Sequence, residues 1–73
     1  MRVFVAGASG AIGEPLIAEL LKRGHTVTGM TTSETRAKIL EGQGASAAIV
    51  DAFDSSAVEG ALRRSKAEVV IDS

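Results

Sequence analysis

Residues 3–16 read VFVAGASGAIGEPL, and the three glycines inside this run, Gly7, Gly10 and Gly13, decide how the rest of the chain is read. Val3, Phe4 and Val5 are β-branched or aromatic and predict a short buried strand over Arg2–Ala6, ended by Gly7. Past the glycines, Ile12, Leu16, Ile17, Leu20 and Leu21 recur on one helical face, and Pro15 falls in a first turn, where no amide hydrogen bond is lost. Lys22 and Arg23 favour the carboxyl end of that helix and Gly24 supplies the stop. Glycine weakens strands and helices alike, so three of them between a strand and a helix require a reason. The free backbone amides and partial positive charge of a helix N-terminus offer one, since both suit a bound phosphate.

Working outward, Thr26–Met30 predicts a second strand. Thr32 or Ser33 then caps a helix with Glu34 in its first turn, running to about Glu41 and ended by Gly42 and Gly44. Ala47–Val50 predicts a third strand closed by Asp51. Asp54 or Ser55 caps a third helix to about Arg64, with Val58, Ala61 and Leu62 inward, and Glu68–Ile71 predicts a fourth strand. Strands alternating with helices in the order β-α-β-α-β-α-β, with short connections, specify an α/β fold with a parallel sheet and right-handed crossovers. The 73 residues make a single small domain.

Composition excludes several classes. Net charge is −1 with mixed signs, which argues against a nucleic-acid surface. There is no cysteine for a disulfide, and His25, the single histidine, builds no zinc site by itself. His25 reads as structural, in a turn at the opposite end of the sheet from the glycines. The apolar start is too short for a signal peptide or a membrane span, and a soluble, cytoplasmic protein is the expectation. An ATPase-type phosphate loop fails because no Gly-Lys-Ser/Thr follows the glycines and Glu14 stands where the charge should be positive.

The glycine run after an N-terminal strand, then LLKRGHTVTGMTTS (20–33), IVDAFDSSAVEGAL (49–62) and AEVVID (67–72), resembles the extended or atypical short-chain dehydrogenases/reductases. These are the NAD(P)-dependent epimerases, dehydratases and related reductases. The resemblance covers the whole chain but only the N-terminal half of such a protein, and it implies a Rossmann-type sheet of strand order 3-2-1-4, truncated before the catalytic half. It assigns Gly7 to the tight turn, Gly10 to close approach of a pyrophosphate, Gly13 to helix-on-strand packing, and the amides of Ala11 and Ile12 as direct donors. It also implies that Asp51 meets the adenine amino group, with Ala52 and Phe53 lining the adenine pocket. Small residues at a tight β–α turn, and an Asp51 that merely caps a strand end, are the structural alternatives.

Two departures stand out. After the second strand, where NAD enzymes carry an acid and NADP enzymes an arginine, this chain has Met30, Thr31 and Thr32. The hydroxyls of Thr31, Thr32 and Ser33, with Arg36 one turn on, suit a 2′-phosphate, whereas Glu34 opposes one, so the pattern leans to NADP over NAD. The chain also has no tyrosine, hence no Tyr-x-x-x-Lys pair, and no residue here is assigned to catalysis. Three readings follow: the cofactor-binding part of an oxidoreductase, epimerase or dehydratase, a non-enzymatic dinucleotide-binding or redox-sensing protein, and a free-standing fold fragment without activity. The expected partners are the dinucleotide and, along the open edge of residues 68–72, either the remaining half of the protein or a second copy.

Overall fold

A computed structural model describes residues 1–7 and 13–72. The elements run β1 (Arg2–Ala6), α1 (Gly13–Lys22), β2 (Thr26–Thr31), α2 (Glu34–Gln43), β3 (Ser46–Ile49), α3 (Ser55–Ser65) and β4 (Val69–Asp72). They form one parallel sheet in the order β3-β2-β1-β4, as the alternation of strands and helices predicts. Each carboxyl end of a strand therefore points to the same edge, the edge at which α1 and α2 begin.

Period-two alternation along the strands builds two cores. Val3, Val5 and Val27 face Ile17 of α1 and Leu40 of α2, with Leu16, Leu20, Leu21, Val69 and Ile71 packed around them. Phe4 and Met30 point to the opposite face and meet Ala61 of α3, with Val58 and Leu62 alongside. The side chains of the first core come from two helices and those of the second from one, so the second face is the thinner.

The caps follow from residue chemistry. Ser33 accepts the amide of Arg36 at 3.2 Å, and Asp54 accepts the amide of Ala57 at 3.1 Å. Helix α2 continues through Gly42, which the sequence marks as a stop, and ends at Gly44, whose φ of 103° is left-handed. Gly42 lies inside the helix without a positive φ, so the stop belongs to the residue that adopts the left-handed turn. Strand limits move by a residue. β2 reaches Thr31 because its carbonyl accepts the Val50 amide at 3.0 Å, and β3 starts at Ser46 because that residue pairs with Thr28. Among the described residues no helix is long and apolar enough to cross a membrane.

Away from the carboxyl edge, Arg2 ties β4 to β1. Its amide donates to Glu68 Oε1 at 3.0 Å, its Nε donates to the carbonyl of Lys66 at 2.8 Å, and its carbonyl accepts the Glu68 amide at 2.8 Å. The hydrogen bond from the Arg2 amide, helped by the arginine's charge, lowers the pKa of Glu68. A lowered carboxylate pKa stabilises the fold above the unfolded value, and that contribution is lost as pH falls through the folded one. Glu68→Gln is thus expected to lower the urea midpoint at neutral pH. The gap from the parent should close as the pH drops below the ordinary glutamate range, and a gap that is constant with pH would refute the coupling.

Candidate functional site

At the carboxyl edge, the chain leaves β1 through Gly7, whose φ of 70° lies in the left-handed region that favours glycine. A cleft of about 120 Å³ opens beside it, lined by Gly7, Met30, Thr31, Thr32, Val50 and Ala52. Its walls are the ends of β2 and β3, brought together by the parallel register of Met30 with Ala48 and Thr31 with Ile49. The apolar wall comes from Met30, Val50 and Ala52, and two threonines supply hydroxyls. A larger groove of about 400 Å³ lies between β3 and α3, but it includes Thr26 and Ser46, the first residues of their strands. It extends toward the amino ends of those strands, away from the edge where open parallel sheets bind ligands.

The hydroxyl cluster divides by role. Thr31 is buried and its Oγ1 accepts the Ser33 amide at 3.2 Å, while Thr32 is exposed beside it. Ser33 uses its oxygen to cap α2. Arg36 stands in the first turn of α2, and its Nη1 donates to Glu14 Oε1 at 2.8 Å. This ion pair joins the first turns of two helices and was not foreseen from the sequence, because its partners lie 22 residues apart.

At the end of β3, Asp51 Oδ1 accepts the Phe53 amide at 2.9 Å and the Asp51 carbonyl accepts the Asp54 amide at 3.0 Å, a tight turn. That turn sets Ala52 in the cleft and leaves Phe53 in solvent, 98% exposed, outside the cleft lining. Gly13 is buried as the first residue of α1. Gly10, Ala11 and Ile12 lie outside the described residues. His25 sits at the opposite end of the sheet, its Nδ1 3.3 Å from the N-terminal amine. Among the described residues no three His, Asp or Glu side chains gather to hold a metal.

Residues 7–72 match the protein family described as NAD(P)H-binding. The chain belongs to that family. The chain is 39% identical over 71 residues to the 3-diazoavenalumate denitrifying reductase of a Streptomyces species, covering 97% of this chain and 22% of that protein. It is 33% identical over 61 residues to the decarboxylating sterol-4-alpha-carboxylate 3-dehydrogenase of Dictyostelium discoideum, covering 84% and 19%. A crystal structure of the UDP-glucose 4-epimerase of Thermus thermophilus in complex with NAD superposes on it with a TM-score of 0.85 at 32% identity. That match covers all of this chain and 24% of the other. The likeness to short-chain dehydrogenases/reductases and their epimerase relatives is borne out, and with it the Rossmann-type sheet. This NAD(P)H-binding chain spans about a fifth to a quarter of the length of the proteins it matches.

Proposed function

We propose that this chain is the part of an oxidoreductase-, epimerase- or dehydratase-like protein that holds the adenosine and pyrophosphate of NAD(P). The observation that carries this reading is the cleft at the carboxyl edge, walled by Gly7 and the ends of β2 and β3 in a family that binds NAD(P)H. In this reading the turn from Gly7 through Gly10 to Gly13 cradles the pyrophosphate, with the amides of Ala11 and Ile12 donating. The adenine lies on Met30, Val50 and Ala52, with Asp51 toward its amino group and Phe53 free to swing over it. Thr31, Thr32 and Ser33, with Arg36, receive the adenosine ribose and lean to its 2′-phosphorylated form, NADP. The cofactor supplies hydride chemistry when bound, and the contribution of these residues is to bind and orient it. Beyond the dinucleotide, the partner is a second copy of the chain or the remaining half of a longer protein, along the β4 edge.

Filling the cleft tests the reading. Ala52 is exposed yet lines the cleft, so Ala52→Leu adds bulk where the adenine would lie without crowding the core. Calorimetry with 5′-AMP and NAD is expected to show at least about tenfold weaker binding, roughly 1.4 kcal/mol. The thermal midpoint should hardly move, since substitutions at exposed sites fall within about 0.5 kcal/mol. Equal affinity in parent and variant would remove the cleft from the site.

A further inference from the structure

Resting on the reading above, we propose that Glu14 limits how strongly this protein distinguishes a 2′-phosphorylated dinucleotide from a plain one, by neutralising Arg36. Glu14 stands in the first turn of α1 and Arg36 in the first turn of α2, and their 2.8 Å contact spans the gap between the two helix starts. Glu14 is also held through its backbone, where Gln43 Nε2, on the last residue of α2, donates to its carbonyl at 3.3 Å. Arg36 in turn donates its amide to Ser33, two residues beyond the Thr31 that lines the cleft. The guanidinium is thus the cation of the described residues placed nearest in sequence to the hydroxyl wall, and it is already engaged.

The charge balance sets the consequence. In the first turns of α1 and α2 the charged side chains are Glu14, Glu34 and Arg36, two carboxylates against one guanidinium. A phosphate dianion arriving there gains the arginine fork but meets an excess of negative charge. A ribose with a free 2′-hydroxyl is indifferent to that balance. Glu14 therefore keeps the site permissive, although the residue adjoins the glycine turn and lies in no position where ribose contacts are sought. It is a positioning residue that acts through Arg36.

Glu14→Gln is nearly isosteric and retains an oxygen to receive the Arg36 N–H, so it removes the charge with little change of shape. Affinities of the parent and variant for NAD and NADP, and for 5′-AMP and adenosine 2′,5′-bisphosphate, differ within each pair by one phosphate. The variant is expected to raise the preference for the phosphorylated member by about two- to fivefold, within the range of a partly exposed charge pair. The gain should shrink in 0.5 M salt as screening shortens to about 4 Å. It should vanish in the double variant Glu14→Gln/Arg36→Gln, whose helix content by circular dichroism reports that both helices persist. An unchanged preference in Glu14→Gln, with NAD and NADP both still binding, overturns the role of Glu14 alone. A gain that survives the loss of Arg36 overturns the route through the guanidinium. Failure of the parent to bind any of the four ligands removes the dinucleotide reading itself, and this inference with it.

Discussion

Phe4→Ala is expected to cost about 3–5 kcal/mol, the range for emptying a buried phenylalanine site. Phe4 is 1% exposed and is the largest side chain in the core under α3. Half of the residues packed there are alanines, Ala6, Ala48, Ala61 and Ala67, beside Met30, Val50, Val58 and Leu62. Alanines cannot swing in to fill the space, so only Met30 and Leu62 can shrink the cavity. At about 0.05–0.15 kcal/mol per residue, a domain of 73 residues holds roughly 4–11 kcal/mol in total. The substitution removes from about a third to all of that, and the urea midpoint should fall in the same proportion, by at least about a quarter to a third. The other phenylalanine is the control. Phe53 is 98% exposed, and Phe53→Ala should leave the midpoint in place within about 0.5 kcal/mol. Any effect of Phe53→Ala on AMP affinity then reports on the site and not on the fold. A Phe4→Ala protein with a parental midpoint would show that α3 is not held through Phe4.

The two phenylalanines also mark how far the sequence could be read. Phe4 sits in an alternating β-branched run, a pattern with one physical solution, and its burial is legible. The Gly24 and Gly44 stops, the Ser33 and Asp54 caps and the order of elements follow from equally local chemistry, and the parallel sheet follows from their alternation. Phe53 depends instead on the Asp51 side chain taking its amide, which bends the chain so that Ala52 faces the cleft and Phe53 faces water. The identity of Asp51 permits that turn but does not distinguish it from an adenine contact. Strand limits depend on register, which is set between strands, as the pairing of Ser46 with Thr28 illustrates. The ion pair of Glu14 with Arg36 lies beyond any local pattern, because it exists only once α1 and α2 pack side by side. Arg36 was legible as a cation one turn past the Thr31–Ser33 hydroxyls. That its charge is already partnered was not, and that fact decides what the cation can do.

Val70→Lys is expected to convert the protein from a self-associating to a monomeric species. Along β4, Val69 and Ile71 turn toward the face covered by α1 and α2 and are half-buried, while Val70 turns to the other face and is 56% exposed. It pairs with Phe4, but α3 packs over Phe4 and leaves Val70 uncovered. Among the described residues β4 pairs with β1 alone, and the Val69–Ile71 stretch carries no charge or proline to discourage a further strand. Pairing of two β4 edges about a two-fold axis would extend the sheet and bring the two Val70 side chains under shared cover. In such an isologous contact each substitution counts twice, since the same residue stands on both sides. Two lysines there should weaken association by about 100-fold or more, roughly 2.7 kcal/mol. At its exposed position the lysine head reaches water without disturbing Phe4, so circular dichroism should show the helices retained. Sedimentation of the parent over a range of concentrations should show a rising mean mass, and that of the variant a constant one. A parent that stays monomeric at high concentration, or a variant that associates as readily, would show that the β4 edge is not the surface through which two copies meet.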